Sequence, residues 1–320
     1  MCMTTLALTL SLTKTDQYLV PGAEDIPLKI SCCWMYAITK YGYPPSVDDS
    51  LRALEDMARL GFRFVEMEGV REENMIAVHR ERHTIKRHAD DLGLAFVNFC
   101  PVLPQVIDMD PQKHRRGLEL FDLAIETAVE LRCEMIQLDS FTPPLTFRGE
   151  TPYKEAMRYG LQFHVEVAQG FSWPAFWEHF IQTVSACNAK AKSAGLKMTI
   201  EPRVGETISN TDALIRVFDA VGDDNLGAVL DTAHLHAQKE ILPLSVDKLG
   251  NRIYYVHAAD NDGKTNEHLA LGQGNIDWEG LIVALRKHRF DSYIALDMGQ
   301  VPDPDRDYAA SKVFLERLLG

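Results

Sequence analysis

A chain of 320 residues with 46% hydrophobic and 25% charged composition can bury the core of a sizeable domain. Its 46 acidic residues against 33 basic ones give a formal charge of −13, a field that repels phosphate backbones and anionic membrane surfaces. Nucleic acid and membrane are therefore not expected as partners, and no window approaches the ~20 consecutive apolar residues that span a bilayer.

Residues 1–27 read as an N-terminal extension, in which LALTLSL alternates apolar residues with Thr or Ser as a half-exposed extra strand would. No basic residues precede a sustained apolar run, so a signal peptide is not expected. The six cysteines, Cys2, Cys32, Cys33, Cys100, Cys133 and Cys187, lack CxxC spacing. They read as small buried hydrophobes in a reducing compartment, and a cytoplasmic location is expected.

From residue 28 onward, short β-rich apolar runs alternate with longer amphipathic stretches, the pattern of repeated βα units around a parallel sheet. Eight strands are predicted: LKISCCW (28–34), FRFVEME (62–68), LAFVNF (94–99), EMIQLD (134–139), LKMTIEP (196–202), NLGAVLD (225–231), RIYYVHA (252–258) and SYIALDM (292–298). The fold class is α/β, a (β/α)8 TIM barrel formed by residues 28–320 as one catalytic domain. Leu51, Leu54, Met57 and Leu60 recur at spacing three to give one helical stripe, with Ser46 as its N-cap and Gly61 as its stop. Residues 172–195 repeat the scheme with Ser172, Pro174 in the first turn, and Gly195. Between the fourth strand and that helix, Ser140 to Phe171 form a βα loop far longer than usual. Its Phe141, Phe147, Tyr153, Tyr159, Phe163, His164 and Phe171 could cover a substrate as a lid or pack against an additional subunit.

In such a barrel the active site lies at the C-terminal face, so a polar residue ending an apolar strand is the feature to seek. The fifth to eighth strands offer Glu201, Asp231, His257 and Asp297. Three carboxylates and one imidazole suit Mn²⁺, Mg²⁺ or Co²⁺, with Zn²⁺ as an alternative through the histidine. Drawing three negative charges into one ring has a cost that a bound cation removes.

Here the chain resembles the xylose-isomerase-like superfamily of sugar isomerases and epimerases over residues 28–320. The features that carry the likeness are the IEP of the fifth strand, DTAH at 231–234, VHAAD at 256–260 and GQGNIDW at 272–278. In the last of these, Gly272 and Gly274 permit a tight turn and Asp277 caps the helix that starts at Trp278. The resemblance implies one divalent metal, Mn²⁺ foremost, held by Glu, Asp, His and Glu, with the two glutamates doubling as acid and base. Asp297 stands where the second glutamate is expected, and its shorter side chain reduces its reach to a substrate proton. Glu201 is therefore the preferred base, and Asp297 the second catalytic candidate.

By the same resemblance His234 binds a substrate oxygen and belongs with the catalytic residues. Arg203, two residues beyond Glu201 on the same side of an extended chain, could neutralise carboxylate charge or grip a substrate oxygen. Glu68, ending the second strand, and His268, ahead of the glycine turn, complete the candidate substrate contacts. His236 reads more readily as a structural histidine.

Such a site takes a proton from the carbon beside a carbonyl, and reprotonation decides between epimerisation, isomerisation and loss of a β-leaving group. The expected substrate is a sugar, keto-sugar or glycoside, and the expected assembly an oligomer. The superfamily that the chain resembles also includes the α subunits of C-glycoside deglycosidases, lyases of 3-keto-glycosides that pair with a smaller subunit, and the long aromatic fourth loop and the N-terminal extension fit that branch. A metal-dependent AP endonuclease shares the barrel, but its metal cluster uses histidines of the second and third strands, which here end in Glu68 and Asn98. A non-catalytic barrel subunit is the remaining alternative.

Overall fold

Runs rich in Val, Ile, Leu and aromatic residues, bounded by turns, form strands that are buried on both faces. The computed structural model, which describes residues 28–149, 164–299 and 301–320, gathers eight of them into a closed parallel barrel. In chain order they are Lys29–Cys32, Phe64–Val70, Ala95–Val102, Met135–Asp139, Lys197–Glu201, Leu226–Asp231, Ile253–Ala258 and Tyr293–Leu296. Each falls within one to three residues of its predicted run. The eighth strand pairs with the first, Lys29 opposite Tyr293, and this closes the ring.

Register brings the polar strand ends to one level. Asp139 pairs with Glu201 and Asp231 with His257. Asp297 lies one residue past the eighth strand, its amide donating to the Ala258 carbonyl at 3.0 Å.

The outer helices follow the predicted signals. Helix Val47–Arg59 starts at Ser46, whose hydroxyl accepts from the Asp49 amide, and buries Ala53, Leu54 and Met57. Helix Trp173–Ser193 starts at Ser172, has Pro174 in its first turn, and is followed by Gly195 at φ 77°. Asp277 caps helix Trp278–Lys287 by accepting from the Gly280 amide.

The loop after the seventh strand wraps around one buried carboxylate. Asp260 accepts from the Gly272 amide at 2.8 Å and the Trp278 indole at 3.0 Å. Gly272 has φ +82°, whereas Gly274 is required for a different reason: a Cβ there would lie 2.2 Å from the Asn261 carbonyl oxygen. The glycine motif is thus a clamp that shapes this loop.

In the long fourth loop, Thr146–Phe147 and Val165–Glu166 pair as a short antiparallel ribbon. Phe141 is fully buried, and the Phe171 ring packs 5.8 Å from Phe176 of the next helix. These two aromatics therefore serve packing within the chain itself. Tyr153, Tyr159 and Phe163, and the extension 1–27, lie outside the described residues. The five described cysteines are buried and unbridged. Among the described residues, no helix is long and apolar enough to cross a membrane.

Candidate metal centre

The barrel mouth unites the four strand-end residues. One ligand atom from each of Glu201, Asp231, His257 and Asp297 lies within 4.8 Å of the others, and all four side chains are buried. Nδ1 of His257 is 2.7 Å from Oε1 of Glu201 and 3.9 Å from Oδ2 of both Asp231 and Asp297. Asp231 divides its oxygens: Oδ1 accepts from the His234 amide at 2.6 Å, while Oδ2 is buried without a hydrogen-bond partner. An orphaned carboxylate oxygen facing an imidazole nitrogen and two further carboxylates fits a divalent cation.

Electrostatics separates the members. Burial pushes the Asp231 carboxyl up to about 7, with the charges of Glu201 and Asp297 adding to it against His268. For Glu201 burial acts upward too, but the charge and hydrogen bond of His257, with Arg203, hold it below the usual range. Asp297 is held low more strongly, since the hydrogen bond and charge of His268 outweigh burial. Burial disfavours the His257 cation, yet Glu66 and Glu201 raise its pKa well above the ordinary value.

The remaining candidates divide by role. His234 sits at the mouth, 4% exposed, with Nδ1 accepting from the Val204 amide at 3.2 Å. Burial, His268 and Arg203 hold it well below the ordinary histidine range. It is therefore a neutral ring whose Nε2–H is the free donor, as a substrate-oxygen contact requires. His268 reaches the site from its loop and sets Nδ1 3.0 Å from Oδ2 of Asp297. Arg203 neutralises carboxylates: its Nη1 is 2.7 Å from Asp139 and 3.7 Å from Glu206, and its Nε 3.6 Å from Glu201. Glu68 lines the cavity, and burial with Asp139 and Glu66 pushes its carboxyl well up. His236 lies aside, bonded to Asn275 at 2.7 Å.

Sequence reasoning passed over Glu66, Gln137 and Asp139. Asp139 ends the fourth strand under the same rule that selects Glu201, its neighbour in the sheet. Gln137 lies two residues earlier on the same face and donates to both Asp139 and Glu201, at 3.1 and 3.2 Å. Glu66 lies two residues before Glu68, so the period of two carried that signal also. A wider groove at the opposite end of the barrel is lined by Leu28, Ile30, Phe64 and Lys312 among others. Among the described residues it holds none of the candidate metal-ligating groups, all of which lie at the mouth.

Comparison with known proteins agrees with this fold. The model for xylose isomerase-like TIM barrels matches residues 54–318. An uncharacterized protein of Methanocaldococcus jannaschii is 26% identical over 157 residues, 45% of this chain and 53% of that protein. Fructoselysine 3-epimerase of Escherichia coli O157:H7 is 20% identical over 125 residues, 38% of this chain and 46% of that enzyme. The chain thus spans about half the length of these curated relatives. A probable endonuclease 4 of Mycobacterium ulcerans matches at 37% over 82 residues, 23% of this chain and 32% of that protein. Among solved structures, a D-tagatose 3-epimerase-like protein superposes with TM-score 0.71 at 19% identity, covering 91% of this chain and 97% of that one. A 3-keto-D-glucoside 4-epimerase from E. coli gives 0.70 at 17%, covering 91% and 99%. A third, solved with a bound zinc atom, gives 0.67 at 16%, covering 91% and 98%. At such identities these structures establish the fold alone.

Proposed function

The chain belongs to the xylose isomerase-like TIM barrel family, and from that premise we propose that it is a divalent-metal-dependent sugar epimerase or isomerase. The observation that carries the reading is the buried ring of Glu201, Asp231, His257 and Asp297 with its orphaned Asp231 oxygen. The epimerase names among its relatives and structural neighbours support the substrate class. A divalent ion held by the ring, Mn²⁺ by preference for this donor set with Mg²⁺, Co²⁺ or Zn²⁺ as alternatives, would polarise the substrate carbonyl and offset the charge that develops beside it.

The chain's own groups supply the rest. Glu201, whose Oε2 lies 3.6 Å from Nε of Arg203, takes the proton from the carbon next to the carbonyl. Asp297, held ionised by His268, contributes charge and ligation, and it is a poor proton carrier. His234 donates Nε2–H to a substrate oxygen. Glu68, whose carboxyl is pushed well up by burial and by Asp139 and Glu66, offers a second polar contact at the mouth. Among the described residues the only guanidinium lining this cavity, that of Arg203, is already shared among Asp139, Glu201 and Glu206. Adding a phosphate to this acidic lining would cost more than Arg203 could offset, so the substrate is an uncharged sugar, keto-sugar or glycoside. The same repulsion argues against a nuclease, as do Glu66, Glu68 and Asn98 on the second and third strands.

An oligomer belongs to the same proposal, with Val167 and Trp173, 61% and 42% exposed beside the fourth loop, as candidate contacts. The test of function is a panel of ketoses, 3-keto-sugars and aryl glycosides assayed with Mn²⁺ in deuterated water. Wild type is expected to exchange the proton next to the carbonyl, and Glu201→Gln to lose ~10²–10⁴ of that rate. Exchange at the wild-type rate in Glu201→Gln, or in metal-stripped protein, would sink the reading. Release of an aglycone would instead place the enzyme with the lyases, which share the first step.

A further inference from the structure

Glu66 lies on the second barrel strand, outside the ligand ring, yet it touches the ring through one bond. Its Oε1 is 3.0 Å from Nε2 of His257, the nitrogen opposite the one that faces Glu201, Asp231 and Asp297. We propose that Glu66 is the positioning residue for the metal ligand His257: it holds the Nε2–H and so leaves Nδ1 as the atom turned into the ring. This rests on the metal reading above.

A neutral imidazole carries one N–H and one lone pair, and only the lone pair can bind a metal. Glu66 is 1% exposed, and a buried carboxylate is an acceptor that must find donors. Its two oxygens find different ones. Oε1 takes Nε2 of His257, and Oε2 accepts from the Cys33 thiol at 3.3 Å. The carboxylate is thereby fixed between the first and seventh strands, with the Tyr255 ring stacked edge-on 5.4 Å from His257. The hydrogen bond orders the ring and chooses its tautomer, and the negative charge raises the basicity of the liganding nitrogen. Oε1 itself faces the far nitrogen, so Glu66 supports the ligand and does not replace it.

Sγ of Cys33, a Glu66 oxygen and a nitrogen of His257 also lie within 4.8 Å of one another, so the same trio could instead hold an ion of its own. The experiment separates these outcomes. Mn²⁺ binding to the full chain would be measured by calorimetry for wild type, Glu66→Gln, Glu66→Leu and Cys33→Ala. Histidine ¹⁵N spectra of the Zn²⁺-loaded proteins would report the tautomer of His257.

Wild type is expected to bind one ion and to show the Nε2–H tautomer. Glu66→Leu should bind ~10–100-fold more weakly, and Glu66→Gln, which keeps a carbonyl acceptor, should fall between. If Glu66→Leu fails to fold, the Gln variant and its spectrum still decide. A folded Glu66 variant with wild-type affinity and an unchanged tautomer overturns the proposal while leaving the proposed function standing. So does a second ion per wild-type chain that is lost in Cys33→Ala, because Glu66 would then be a ligand. Failure of wild type to bind any divalent ion overturns both.

Discussion

One ring nitrogen of His268 straddles both kinds of oxygen that Asp297 offers: Nδ1 lies 3.0 Å from the carboxylate Oδ2 and 2.8 Å from the carbonyl oxygen. That pairing explains why a shorter acid is accommodated as the fourth member of the ring. His268 holds the same Oδ2 that faces His257 in the ring, and it keeps the carboxylate ionised although Asp297 is buried. Lengthening the side chain in Asp297→Glu would drive the carboxylate into His268 or across the ring. The variant is expected to bind Mn²⁺ ~10–100-fold more weakly, as does removal of the supporting histidine in His268→Ala. Calorimetric titration checks both, and tighter binding or faster turnover in Asp297→Glu would show that the aspartate is merely tolerated.

Asp231 makes the ring costly when no cation offsets its charge. A carboxyl pushed from the usual range to about 7 is protonated in the folded protein while already ionised in the unfolded chain, so between about pH 4 and 7 it opposes folding increasingly. Asp231→Asn removes that penalty and keeps the Oδ1 acceptor for the His234 amide. The metal-free variant is expected to be more stable than metal-free wild type by ~1–3 kcal/mol at pH 7. The gain should grow as pH rises from about 4 to 7 and then level off, a profile thermal unfolding would show. In saturating Mn²⁺ the order should reverse, because only wild type retains a full ligand set.

How far the site was legible follows from which interactions are local. A polar residue at the end of an apolar strand is a one-dimensional pattern, and it found Glu201, Asp231, His257 and Asp297. Applied to IQLD it would have found Asp139 as well. Ser46 and Ser172 were equally readable, because a cap is a relation between residues three apart. The contact of Glu66 with His257 spans 191 positions and joins the second strand to the seventh. No periodicity encodes it, since it exists only once the barrel closes. His268 was placed in a loop without a reason for its aim, and that reason is Asp260, around which the loop folds back.

A second carboxylate cluster ties the last helix to the two helices after the first strand, away from the site. Asp305, in the first turn of helix Pro304–Leu319, accepts from the Tyr36 hydroxyl at 2.5 Å, Lys40 at 2.6 Å and Arg59 at 2.8 Å. Burial raises its pKa, but those three donors hold it well below the usual range. The stability it contributes is therefore present above the unfolded carboxylate pKa of about 4 and is lost as pH falls through the lower folded value. Because the Asp305 side chain is a third exposed and Arg59 more than half, Asp305→Asn is expected to cost only ~1 kcal/mol at pH 7. Urea unfolding should show that difference shrinking towards zero below pH 3, and a difference that persists there would mean the contribution is packing and not charge.

Gly274 gives the sharpest test of the clamp around Asp260. A methyl group at that position would meet the Asn261 carbonyl oxygen at 2.2 Å and Oδ1 of Asp260 at 2.3 Å, the first of them backbone that cannot turn away. Relief requires the loop to lift from Asp260, which weakens the bonds to the Gly272 amide and the Trp278 indole together. Overpacking of this kind costs ~1–3 kcal/mol. The loop also carries His268 to Asp297, so Gly274→Ala is expected to weaken Mn²⁺ binding as well as lower the melting temperature. Gly272→Ala serves as the comparison, since its added methyl meets only the Phe314 ring edge at 3.1 Å, although the φ of +82° adds strain. Equal loss of metal affinity in both, or none in Gly274→Ala despite a lowered melting temperature, would show that the clamp stabilises the fold without positioning His268.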